Sequence, residues 1–228
     1  MKKLLTIACI FICALMLFAC TTPETFSGNQ EEPLKIDAYV TLSNAGELAI
    51  QQEKITATDL NNDKKVSIDE VLVAAHKAKD KEGDYASANS DWGLSITKLW
   101  GDESGLFSYY LNNQMVMTDL NEEVKSGDHL NAFVYKNADW SDTYTYFDVA
   151  EVTAVKGTQF ELTLNYVTYN DGFSIAGSKI IVNGDETEYV TDADGRVKLT
   201  FAATGTYVLS ATSQTETLVP AVCVVTVK

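Results

Sequence analysis

The chain has 228 residues, with 17 Lys or Arg against 32 Asp or Glu, for a formal net charge of −15 at pH 7. A surface of that sign repels phosphate backbones and anionic lipid, which excludes nucleic acid as a partner and favours cations. Apolar residues make up 46% of the chain, enough to build folded cores over a length that allows more than one domain.

Met1, Lys2 and Lys3 form a short basic start, and Leu4 to Ala19 is apolar apart from Thr6. That stretch is shorter than the ~20 residues a helix needs to cross a bilayer, so residues 1–19 are expected to be a removable export signal. Leu17-Phe18-Ala19-Cys20 resembles the bacterial lipoprotein box, although Phe18 is bulkier than usual there. The resemblance implies that Cys20 takes a lipid and tethers the chain to a membrane, at the cell membrane or outer membrane with the rest exposed on the surface. Cleavage would remove Cys9 and Cys13 and bring the net charge to −17. With Cys20 acylated, Cys223 is the one free thiol left, so no internal disulfide is expected, and its place in an apolar run marks it as buried and inert.

Residues 20–34 are polar, contain Pro23 and Pro33 and lack apolar periodicity, so they are expected to be a flexible tether spanning roughly 20 Å. Alternation at Ile36, Ala38, Val40 and Leu42, a turn at Ser43-Asn44-Ala45-Gly46, and resumed alternation at Leu48 and Ile50 predict a β-hairpin.

The run Asp59 to Glu70, DLNNDKKVSIDE, follows. It spaces oxygen donors as an EF-hand-type calcium loop does: Asp59, Asn61, Asp63, the backbone carbonyl of Lys65, Ser67, and Glu70 with both carboxylate oxygens. Val66 is the apolar residue such loops turn inward. Lys64 stands where glycine relieves a left-handed turn, at a cost on the order of 1 kcal/mol. The competing reading is a polar turn followed by an S-x-x-E capping box, Ser67 with Glu70, that starts a helix. A Glu70 bound to calcium could satisfy that box only in part.

Ile68, Val71, Leu72 and Ala75 then share a helical face that fades in the charged run Lys77 to Asp84. Four strand-like segments come next: Leu94 to Trp100, Phe107 to Asn112, His129 to Tyr135 and Thr143 to Val149. Gly105-Leu106-Phe107-Ser108-Tyr109-Tyr110-Leu111-Asn112 and Val124-Lys125-Ser126-Gly127-Asp128-His129-Leu130 resemble the transcobalamin-like C-terminal β-grasp family over about residues 35–149. The resemblance implies a β-grasp domain, which the order of hairpin, helix and strands also predicts, and it makes a corrinoid a candidate ligand; the calcium loop 59–70 would be half of an EF-hand grafted onto that fold. His76 and His129 are expected to be structural, and Trp140, in a polar loop, is the candidate for an exposed partner contact.

Residues 150–228 read as strand after strand, with turns at Asn183-Gly184-Asp185 and Asp192-Ala193-Asp194-Gly195. This predicts an antiparallel immunoglobulin-like β-sandwich of about seven strands. Asp192 and Asp194 read as a turn and not as a second metal site, because Arg196 and Lys198 take the spacing where acids would continue. The expected fold is therefore mainly β, an α+β domain followed by an all-β one. No nucleophile elbow, zinc-helix or phosphate-loop motif is present, so no enzymatic activity is expected. The sequence points to a calcium-binding, lipid-anchored surface binding or adhesion protein in which Ca2+ is structural. Alternatives are a receptor for a small molecule such as a corrinoid and, third, a secreted enzyme; the partner could be a protein, a glycan or a small molecule.

Overall fold

The alternation that begins at Lys35 runs into a long antiparallel hairpin, β1 (Lys35–Asn44) and β2 (Glu47–Thr58), closed by Ala45 and Gly46 in the left-handed region. The computed structural model describes residues 32–168 and 171–228. The export signal, Cys20 and all but the last three residues of the tether lie outside the described residues.

The register of the hairpin slips between Val40 and Leu42, where two β2 residues oppose one of β1, and Gln52 there takes φ +53°. This bulge moves the inward set of β2 from the even-numbered Ile50 to the odd-numbered Ile55 and Ala57. It also turns Gln52 to the opposite sheet face from Ile50.

After the loop, α1 (Ile68–Lys77) lays Ile68, Val71, Leu72 and Ala75 on the sheet. It stops at Lys77, and Lys79 and Lys81 donate their amides back to the His76 carbonyl while Asp80 turns left-handed. A 3₁₀ turn at Glu82–Asp84 leads into a separate two-stranded ribbon, β3 (Ala86–Ser90) with β4 (Gly93–Lys98). The segment predicted at Leu94 to Trp100 therefore forms a strand, but one that pairs outside the main sheet. That sheet is completed by β5 (Phe107–Leu111), β6 (Gln114–Met115) and β7 (His129–Val134), in the order β2-β1-β7-β5-β6. β1 and β7 are parallel and every other pair is antiparallel. Ala38, Val40, Leu42, Ile50, Leu130 and Ala132 meet the helix in the first core.

The next strand, β8 (Thr143–Phe147), pairs with later strands and not with β7. It belongs to a sheet with β10 (Phe160–Thr168), β11 (Asp171–Ser174), β14 (Arg196–Leu199) and β16 (Leu218–Val219), so the change of sheet falls in the 135–142 loop and not near residue 150. Facing it is a second sheet in the order β13 (Asp185–Val190), β12 (Lys179–Val182), β15 (Gly205–Thr212), β17 (Cys223–Val227), β9 (Glu151–Ala154). Leu162, Leu164, Ile180, Val197, Leu199, Leu209 and Val225 fill the space between them. Two pairings, β8 with β16 and β9 with β17, are parallel, where an antiparallel sandwich is predicted. Both join segments far apart in sequence, which no tight turn can make antiparallel neighbours. Cys223 is fully buried in this core, which pushes its thiol pKa up to about 12 and leaves it inert.

Pro33–Lys228 form one compact unit. A third, aromatic cluster joins its two cores: Tyr110 and Phe133 on the sheet face away from α1, and Tyr144 and Val219 from the sandwich. The Tyr110 and Tyr144 rings stack at 3.8 Å and 5°, the Tyr144 hydroxyl donates to Asn113 Oδ1 at 2.9 Å, and Gln52 Nε2 donates to the Ala150 carbonyl at 3.0 Å. Aromatic residues in excess of the first core's needs are thus used to dock the two halves.

Candidate functional site

The loop between β2 and α1 is organised around two buried carboxylates, Asp59 and Glu70, 4% and 5% exposed. Ionised groups so enclosed must be hydrogen-bonded to be tolerated. Asp59 accepts the backbone amide of Asn62 on Oδ1 at 2.6 Å and that of Lys64 on Oδ2 at 2.8 Å. Glu70 accepts the Leu60 amide on Oε1 at 2.6 Å, and the Ser67 amide and hydroxyl on Oε2 at 2.8 and 3.0 Å. Asn61 and Asp63 form successive side-chain turns, taking the amides of Asp63 and Lys65. Ser67 and Glu70 close a complete capping box on α1.

Lys64 has φ +70°, the left-handed backbone that glycine would adopt without strain. Val66 is buried in the first core, and its carbonyl accepts the Val124 amide. Ile68 and Asp69 donate to the carbonyls of Glu122 and Leu120, and Ser67 bridges Glu123. Residues 120–124 therefore pin the exit of the loop, a contact no local sequence pattern announces.

The donors fit a hard cation in kind, being carboxylate, amide, carbonyl and hydroxyl oxygens. Each carboxylate oxygen that accepts one amide keeps a second lone pair, as both oxygens of Asp59 and Oε1 of Glu70 do; Oε2 of Glu70 already accepts two donors. Asp63 lies at the surface, and among the described residues no group of three or more His, Cys, Asp or Glu is gathered closely enough to hold a metal ion.

Asp69 is held from the far side, its Oδ1 accepting the Tyr85 hydroxyl at 2.6 Å, and burial raises the Tyr85 pKa so that it stays a donor. Behind Tyr85 lies His76, fully buried, its ring 4.9 Å from that of Tyr85 and 5.4 Å from that of Trp100. His76 Nδ1 is 2.7 Å from the Leu72 carbonyl and Nε2 takes the Trp100 amide at 3.3 Å. The neutral ring protonated on Nδ1 satisfies both; a second proton would set donor against donor at Nε2. Burial lowers the His76 pKa, with Lys81 adding to the effect and Asp84 opposing it. The unfolded chain then binds a proton that the folded chain refuses, so stability is full above the ordinary value of 6.5 and is lost as pH falls from there toward the folded value. Unfolding free energies measured between pH 7 and pH 5 are expected to decline in the wild type and to decline less in His76→Gln.

Trp140, about half exposed, has φ +65° and tilts against Tyr135 at 5.2 Å. His129 opens β7 stacked on Tyr39 at 4.8 Å. Asp192 Oδ1 accepts the amides of Asp194 and Arg196, the turn its sequence predicts.

No family model matches the chain, and no curated protein sequence matches it. Solved structures that align with it include the D0-D1 domain of intimin, 10% identical over 85% of this chain and 100% of that one, with a TM-score of 0.33. The N-terminal four Ig domains of Dscam1 also align. Isoform 7.44 is 11% identical over 85% of this chain and 44% of that one, and isoform 8.4 is 13% identical over 47% and 25%, both with TM-scores of 0.28. The chain thus spans less than half the length of those Dscam1 fragments. Superpositions this loose leave the fold to rest on the strands described above.

Proposed function

We propose that the chain is an exported surface binding or adhesion protein, lipid-anchored through Cys20, with a β-grasp half and an immunoglobulin-like half. The observation that carries this reading is the fixed junction between the halves: the Tyr110–Tyr144 stack, the Tyr144–Asn113 bond and the Gln52–Ala150 bond. A pair of β units held at one angle presents a preorganised face, which lowers the ordering cost of binding a partner. The β-grasp assignment is supported by the order hairpin, helix, then strands, with the last main-sheet strand parallel to β1.

Calcium is proposed for the loop between β2 and α1, with Asp59, Asn61, Asp63, the Lys65 carbonyl, Ser67 and Glu70 as its holders. The ion would replace part of the hydrogen bonding that the Glu70 carboxylate accepts from Ser67. Its role is structural, since it would clamp the end of β2 to the start of α1. Exported fluids hold calcium at levels that suit loops binding at roughly 0.1 to 1 mM.

The test is made on cells expressing the wild-type chain or Cys20→Ala. The wild type is expected to be labelled on intact cells and to incorporate radiolabelled lipid, and the variant to be released into the medium without lipid. Immobilised Cys20→Ala protein is then expected to retain a partner from cell-surface material. Retention of both chains inside the cell, or no partner retained, would sink the reading.

A further inference from the structure

The sheet face that docks the sandwich is divided along its length. At one end lie Tyr110, Phe133 and Tyr135; at the other lie Thr41, Gln52, His129 and Asn131, which no sandwich side chain covers fully. There the two halves enclose a cavity of about 160 Å³, walled chiefly by Thr41, Gln52, Asn113, His129, Asn131 and Thr145. Binding cavities favour such seams between structural units.

Three properties of this wall point the same way. None of its lining residues is Asp, Glu, Lys or Arg, and the nearest charges, the Glu151 and Asp128 carboxylates that act on His129, are both negative, so an anion entering it would be stripped of water and repelled. Thr41 and Gln52 are each only 8% exposed, Gln52 Nε2 is held by the Ala150 carbonyl, and the wall offers the Thr41 hydroxyl, Gln52 Oε1, the Asn131 side-chain amide and the His129 ring as hydrogen-bonding groups. An apolar guest would leave that hydrogen-bonding capacity unmet, at roughly 1–3 kcal/mol for each group. Gln52 is held there by a left-handed bulge and by its bond to the Ala150 carbonyl, and such backbone strain persists only where the surrounding structure fixes it. The volume equals about five waters at roughly 30 Å³ each, or one six-membered ring bearing hydroxyls.

We propose that this cavity binds one uncharged sugar residue, the end unit of a glycan, with Thr41, Gln52, Asn131 and His129 bonding its hydroxyls. Tyr146, also in the wall, adds ring surface. The proposal gives the binding reading above a ligand class and rests on it.

The test uses the full chain in detergent and saturation-transfer NMR titrations with methyl β-glucopyranoside, methyl β-galactopyranoside and N-acetylglucosamine, with glucuronate as the charged comparison. At least one neutral sugar is expected to saturate and glucuronate to show no transfer. Affinity should fall at least tenfold in Asn131→Ala and in Thr41→Val. The second variant keeps the shape of the side chain and decides the matter should the first not fold. No saturation by any neutral sugar, equal binding of glucuronate, or unchanged affinity in the folded variants would overturn the site. Should the immobilised Cys20→Ala protein still retain a surface partner in that case, the site fails while the binding reading stands.

Discussion

Ten millimolar calcium is expected to raise the melting temperature of the wild-type protein, and Asp59→Ala or Glu70→Gln to abolish that rise. For a loop binding at roughly 0.1 to 1 mM, mass action gives about 1.4 to 2.7 kcal/mol at that concentration, or about 3 to 10 °C for a unit of this size. The two substitutions act differently without metal. Asp59→Ala leaves the Asn62 and Lys64 amides without their acceptor, but residues 60–65 are exposed and water replaces part of the loss, so the cost is about 1 kcal/mol. Glu70→Gln keeps one carbonyl oxygen, but its amide nitrogen must face the Leu60 or the Ser67 amide, donor against donor, so its baseline should fall as well. Lys64→Gly releases the left-handed strain, on the order of 1 kcal/mol before the added freedom of glycine in the unfolded chain offsets part of it, and should retain the calcium response. Scanning calorimetry with calcium and with chelator measures all of these, and a wild-type curve that calcium does not move would remove the ion from the account.

Tyr144→Ala is expected to separate the unfolding of the two halves. The residue is 5% exposed, stacks on Tyr110 and bonds Asn113, and its loss should cost about 3–5 kcal/mol from lost apolar burial and the cavity together. Tyr144→Phe keeps the ring and should cost only about 1 kcal/mol for the hydroxyl. All three tryptophans, Trp92, Trp100 and Trp140, precede the sandwich strands, so their fluorescence follows the first half, while far-ultraviolet circular dichroism follows both. In denaturant the two signals should coincide for the wild type and part for Tyr144→Ala. Coincident curves in that variant would show that the junction does not couple the halves.

Much of the strand pattern could be read directly, because side-chain alternation is a local property. Phe107 to Asn112 and His129 to Tyr135 appear within a residue of β5 and β7. What escaped depends on distant partners. Thr143 to Val149 has the same alternation whichever sheet it joins, and the partner that claims its edge, Leu218–Val219, lies far along the chain. The bulge at Gln52 did leave a trace, the parity change between Ile50 and Ile55. In the loop, the chemical types of Asp59 to Glu70 were visible from spacing, and so was the rival capping box that the structure contains. The pinning of that loop by Leu120 and Glu122 was not, since it is made by backbone groups that carry no residue signature.

The junction is also a matter of timing. Val219 completes the aromatic cluster, the Thr143 amide donates to the Thr217 carbonyl, and Thr145 Oγ1 donates to the Val219 carbonyl across 74 residues. The first half can close on contacts made early in synthesis, but its seam with the second must wait until residues 217–219 have been delivered, and closure over so long a loop is slow. Until those residues arrive, the face of the first half that carries Tyr110 and Phe133 stays uncovered, so the order of synthesis leaves that aromatic surface as the last to be buried.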